Sequence, residues 1–151
     1  MAEHYRTLSA VLPVITRLVD GRREVLLLRR RNTGFGDGHW DFAGGGHVDE
    51  GETAKQAVVR ECREELGIEV AVEDVAFGHL FHDVASPGGK TYYDLYFQVR
   101  SFAGEPRIAE PEKCDGLQWF DLAQLPEALL EVRRSAFALY LAGIPYSERL
   151  G

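Results

Sequence analysis

Three glutamates within five residues, Glu61, Glu64 and Glu65 in the run RECREEL, constrain this chain more than any other feature. If the run is helical, a step of about 100° per residue gathers all three within an arc of roughly 100° on one flank. Like charges three and four residues apart destabilise a helix by a few tenths of a kcal/mol per pair. The arrangement therefore calls for a cation. Ligands that are all oxygen favour hard Mg²⁺ or Mn²⁺ over zinc, which takes His or Cys.

The surrounding residues are ordered in the same way. Gly46 precedes Glu52 by six positions, Arg60-Glu61 lies eight and nine beyond Glu52, and Cys62, Glu64-Glu65 and Gly67-Ile68 complete the pattern. This segment resembles the Nudix hydrolase signature, G-x5-E-x7-R-E-U-x-E-E-x-G-U with U a bulky apolar residue. Every fixed position matches, and Cys62 is the one small residue at a U position. Seven fixed positions match by chance at roughly 10⁻⁸ per starting point. A solvated acidic helix would explain the glutamates but not the ordered glycines and arginine.

The resemblance implies an α/β/α sandwich around a mixed β-sheet and Mg²⁺-dependent hydrolysis of a nucleoside diphosphate linked to another group. Water attacks one phosphorus, divalent ions clamp the oxygens, and a carboxylate takes the proton. On that basis Glu61 and Glu65 are expected as metal ligands, with the Gly46 carbonyl. Glu64 is a third ligand or the base, and Glu61 is its rival as the catalytic carboxylate. Glu52 and Arg60 are expected to pair and hold the loop against the helix. A further carboxylate is expected from the stretch around Glu110-Pro111-Glu112-Lys113, which resembles the same segment of small triphosphate-hydrolysing members. Either Glu110 as ligand or Glu112 as base suits that loop, stiffened by its prolines.

The 151 residues suit a single domain with one sizeable core, spanning 1–151. An apolar content of 45% and a charged content of 27% are those of an ordinary globular chain. A formal charge of −7 provides no basic footprint for nucleic-acid polymers. It is compatible with a small nucleotide substrate, because bound metal reverses the local potential. Cys62 and Cys114 form neither a metal spacing nor a disulfide framework, so a reducing cytoplasm is expected. No apolar run reaches transmembrane length, and the start lacks a secretory signal pattern. Members of the family are often homodimers, but no stretch here marks an interface.

Hydropathy and turn chemistry predict an α+β order. Strands are expected over residues 7–18 and 24–29 around an Asp20-Gly21 hairpin turn, with Pro13 placing the first at an edge or bulge. A glycine-rich loop, residues 32–39, precedes a short strand at 40–43. A helix should start at the cap Thr53, whose capping box includes Gln56, and stop at Leu66 before Gly67. Strands follow over 70–85 and 91–99 about a Pro87-Gly88-Gly89 turn, then a short one at 117–120. The last helix should cover 130–141, with Phe137 and Leu141 packing inward.

Substrate contacts are expected from Arg29 at a strand end, from Gly45 and His47 beside the glycine turn, and from Phe35 and Trp40 as stacking surfaces. His79 and His82 lack a metal-ligand pattern and are read as structural. A (deoxy)nucleoside triphosphate, oxidised or otherwise modified forms included, is the expected substrate, giving monophosphate and pyrophosphate. ADP-ribose, another nucleotide sugar or a dinucleotide is the rival, although Val84 stands where ADP-ribose-specialised relatives carry a proline. A catalytically silent nucleotide sensor is the rival of another class.

Overall fold

The computed structural model describes residues 3–151. Ten regular elements run in the order β1 (Leu8–Val19), β2 (Arg22–Arg30), β3 (Trp40–Phe42), β4 (Gly46–His47), α1 (Ala54–Leu66), β5 (Val75–Ser86), β6 (Lys90–Val99), β7 (Cys114–Asp121), α2 (Glu131–Leu141) and β8 (Tyr146–Arg149). Single 3₁₀ turns occupy Val72–Asp74 and Pro87–Gly89. The β1–β2 hairpin closes through Asp20 and Gly21, both at positive φ (50° and 76°), as a tight two-residue turn between right-twisted strands requires.

The sheet is mixed, in the order β3-β2-β1-β6-β5-β8, with β4 on β1 and β7 on β2. β1 runs parallel to β6 and β8 runs parallel to β5; the other pairings are antiparallel. On the flank away from β6, β1 pairs first with β4 at Ala10 and Val11 and only later with β2, from Thr16 onward. Pro13 falls in the gap between these two partners. It therefore sits inside an internal strand, and the expected edge or bulge position is corrected: the missing N–H is tolerated where one flank has no ladder.

Each face of the sheet is covered by a helix, as in the expected sandwich. Along β1 and β2, Val11, Ile15, Leu26 and Leu28 face α1, meeting Val58, Cys62 and Leu66. The alternate residues Leu12, Val14, Val25 and Leu27 face the α2 side, meeting Phe42, Tyr96 and Phe137. Strands buried on both faces read as continuous apolar runs, which is why LLL and VLPVI show no alternation.

α1 begins at Thr53, whose hydroxyl accepts from the Gln56 N–H while Gln56 reaches back to the Thr53 N–H, and it ends at Gly67 with φ 68°. Its bounds match the expectation because both signals are local. Three expectations are corrected. Leu141 is 51% exposed, since the helix presents Ala136 and Phe137 to the core and turns Leu141 outward. The strand expected at 117–120 extends over Cys114–Asp121, sustained by pairing with β2. Finally, β4 and β8 are additional strands, each too short to show a period.

Candidate functional site

A cleft of about 910 Å³ opens at the split between β4 and β2 and runs across the ends of β1, β6 and β5. That volume suits a nucleotide-sized ligand. One end is built by the glycine turn and α1. Gly44 has φ 80°, and Gly45 and Gly46 pass so close to their neighbours that side chains are excluded. A Cβ on Gly46 would enter the Glu61 carboxylate, and one on Gly45 would stand 3.1 Å from the Val11 carbonyl oxygen. Backbone and carboxylate thus share one surface there.

Glu61 and Glu65 line this end, together with Glu110. Glu65 accepts a hydrogen bond from the Gly44 N–H at 2.7 Å. Burial pushes its carboxyl up to about 8, with Glu61, Asp41 and Glu110 adding to the rise and the Gly44 N–H opposing it. Glu61 is also raised, chiefly by burial, while Arg60 draws it back.

Arg60 stands at the centre of the acidic flank. It donates to Glu52 at 2.7 and 3.0 Å, to Glu61 at 2.8 Å, to Glu64 at 3.2 Å and to the His47 carbonyl at 3.0 Å, and lies 3.4 Å from Asp49. One guanidinium therefore serves four carboxylates, which leaves the flank with surplus negative charge. The Glu52 carboxyl is held down to about 2, mainly by Arg60 and then by the Asp49 N–H.

The remaining expected residues divide sharply. Gly45, Gly46, His47 and Phe35 line the cleft, and His47 Nε2 meets the Tyr92 hydroxyl at 2.8 Å. Glu64 is half exposed and held by Arg60, outside the cleft lining. Of the two loop glutamates only Glu110 enters. The Glu112 side chain is exposed in the turn, and its carbonyl accepts from Asn32 Nδ2. Arg29 turns away to pair with Asp115 at 2.8 Å, and Trp40 packs edge-on against Phe120 with centroids 4.9 Å apart. Neither lines the cleft: they are paired across β2 and β3, where Trp40 packs with Phe120 of the neighbouring β7 and bridges to Leu129.

Sequence reasoning missed the far floor. Arg133 of α2, 8% exposed, donates to Asp41 Oδ1 at 2.9 Å and to Asp94 Oδ2 at 3.1 Å, while Arg30 donates to Asp41 Oδ2 at 3.1 Å. Burial raises the Asp94 carboxyl and Arg133 opposes that rise. These partners come from four separate elements, so no local spacing could announce them.

A divalent cation fits the glycine-turn end in chemistry and charge. The donors are oxygens only, two of them are half-buried carboxylates without a full counter-charge, and the Gly46 backbone adjoins Glu61. Among the described residues no three acidic, His or Cys side chains stand grouped as a ready-made cluster.

A mixed sheet between two helices, with a glycine turn set against a glutamate-bearing helix, is the architecture that the comparisons with known proteins match. A NUDIX domain family model matches residues 10–140, and the chain belongs to that family. It is 31% identical over 150 residues to a NAD-capped RNA hydrolase, NudC, of Stutzerimonas stutzeri, covering 99% of this chain and 48% of that protein. It is 33% identical over 119 residues to an oxidized purine nucleoside triphosphate hydrolase of Danio rerio, covering 78% of this chain and 70% of that one. The chain spans about half the length of several curated relatives that it matches. The crystal structure of a MutT NUDIX hydrolase from Burkholderia pseudomallei superposes with a TM-score of 0.77 at 30% identity, over 89% of this chain and 98% of that one. No helix among the described residues is long and apolar enough to cross a membrane.

Proposed function

We propose that the chain hydrolyses the diphosphate bridge of a nucleoside triphosphate, an oxidised or otherwise modified one included, with Mg²⁺ as cofactor and Mn²⁺ as a substitute. The observation that carries this reading is the pair of half-buried carboxylates, Glu61 and Glu65, set against the Gly44–Gly46 backbone, with Arg60 pairing Glu61 and no cation pairing Glu65 among the described residues. The name of the Danio rerio relative points to the same substrate class, whereas that of the NudC relative points to NAD-capped RNA.

In this reading Glu61, Glu65, Glu110 and the Gly46 carbonyl would hold the cation, which would supply charge neutralisation at phosphoryl oxygens and a more acidic water. The Gly44 N–H fixes the orientation of Glu65. Glu64 is the third ligand or the base that accepts the proton of the attacking water; it stands outside the cleft lining, so either role requires its Arg60 contact to give way. The water oxygen bonds to the nucleoside-side phosphorus, the bridging P–O bond breaks, and its electron pair leaves with pyrophosphate. His47, held by Tyr92, and the Gly45 backbone border the phosphates. Arg60 and Glu52 keep the glycine turn against α1. The substrate is a small nucleotide rather than a polymer, and the place of action is the cytoplasm.

The test is product analysis with Mg²⁺ across nucleoside triphosphates, ADP-ribose, NADH and dinucleoside polyphosphates. Monophosphate and pyrophosphate from triphosphates are expected, and Glu64→Gln and Glu65→Gln should each lower turnover about a hundredfold or more while the protein stays folded. Turnover confined to nucleotide sugars would replace the substrate. Wild-type rates in both variants would remove the mechanism.

A further inference from the structure

The family match ends at residue 140, but the cleft is lined beyond it. After α2 the chain adds β8 in parallel to the outer edge of β5, in register from Leu80 with Tyr146 to Asp83 with Arg149. Two side-chain contacts fix it there. His79 is fully buried, its Nδ1 2.6 Å from the Ile144 carbonyl and its Nε2 2.7 Å from the Ser147 hydroxyl. A carbonyl only accepts, so Nδ1 carries the proton and Nε2 accepts from the serine. Arg149, in turn, donates from Nε to Asp83 Oδ1 at 3.0 Å and from Nη2 to Oδ2 at 2.8 Å. Asp83 is buried, and its Oδ1 also accepts from the Ala85 N–H at 2.9 Å.

This pair brings a guanidinium, held bidentately on Asp83, to the β5 side of the cleft. Arg149 and Asp83 line the cleft, as do Tyr92 and Asp94 of the neighbouring strand. From β4, which carries Gly46, the strands follow in the order β1, β6, β5. The register runs from Gly46 through Val11 and Leu95 to Leu80, so Asp83 lies three strands across and three residues along, about 17 Å from the glycine turn at about 4.8 Å per strand and about 3.3 Å per residue. A nucleotide whose phosphate bridge rests at the glutamates and whose sugar extends along the cleft toward β5 would bring its base to Arg149. The Nε–Nη2 edge is spent on Asp83. The end-on pair, the Nη1 and remaining Nη2 protons, makes no hydrogen bond among the described residues. Two donors in a fixed fork complement two adjacent acceptors, as on the O6/N7 edge of a 6-oxopurine; adenine sets an amino donor against them.

We infer that Arg149, delivered by a strand outside the matched family region, determines specificity by selecting a 6-oxopurine base. This rests on the nucleoside triphosphate reading above.

The test compares inosine and adenosine triphosphates, which present a carbonyl and an amino group at the same position. The wild type should favour the inosine substrate about tenfold or more, through KM rather than kcat. Arg149→Ala should erase that preference, and Arg149→Lys, with a single-point donor, should restore part of it. Ser147→Ala loosens β8 without touching the guanidinium, so it should lower Tm and leave the preference intact. An equal ratio in wild type and Arg149→Ala, or a parallel fall on both substrates, overturns the inference alone. Turnover of neither triphosphate, with turnover of nucleotide sugars, overturns the triphosphate reading and this inference with it.

Discussion

Glu65 has no cationic partner among the described residues: a single backbone N–H, from Gly44, donates to it, and burial lifts its carboxyl to about 8. Arg60 is already divided among Asp49, Glu52, Glu61 and Glu64. A divalent ion would displace the Glu65 proton and supply the counter-charge that Arg60 does not. Gly46 is the other critical residue, because its missing side chain is the space that the Glu61 carboxylate occupies. Gly46→Ala is expected to displace Glu61 and lower kcat about tenfold or more, since small misplacements of an aligned group are costly. Steady-state kinetics with matched circular dichroism would show this. Unchanged kcat would mean that Glu61 can act from elsewhere.

At the scale of elements, α1 and the loop before it behave as one unit, joined by Arg60 and Glu52. Because the folded Glu52 carboxyl lies near 2, below its ordinary 4.5, the folded state binds fewer protons than the unfolded state between those values. The pair's stabilisation is therefore present above pH 4.5 and lost as pH falls toward 2. Tm measured against pH should drop through that window in the wild type, and Glu52→Gln should flatten the drop. This unit was legible in the sequence because its determinants are local: the Thr53–Gln56 capping box, Gly67 and the three glutamates all lie within one short stretch. Position along the chain did not reveal which loop glutamate turns inward. Glu110 and Glu112 differ only in how the turn before β7 faces them, and that is set by pairing with β2. Arg29 and Trp40 looked equally suited to ligand contact, but side chains of the neighbouring β7, Asp115 and Phe120, and the segment before α2 engage them instead. β8 was illegible for another reason: Tyr-Ser-Glu-Arg has no apolar period, and it is a strand only because the edge of β5 receives it.

Across the whole molecule, the Asp41–Arg133–Asp94 network joins β3, α2 and β6 over sequence separations of 92 and 39 residues. Arg133 reads as an ordinary surface arginine in EVRRSAF, so its burial emerges only when the helix is laid on the sheet. Removing one member of such a network leaves buried charge without a partner. Arg133→Met should therefore cost about 3–5 kcal/mol of unfolding free energy, measurable by urea denaturation. A cost below about 1 kcal/mol would show that the two aspartates simply take up protons or water.

The most direct test of the central claim is calorimetric titration of Mg²⁺ into the protein with a non-hydrolysable nucleoside triphosphate present. Saturable binding in the wild type is predicted, weakened at least tenfold in both Glu61→Gln and Glu65→Gln. Binding of equal strength in wild type and both variants, or none in the wild type, would contradict a cation held between the glycine turn and α1.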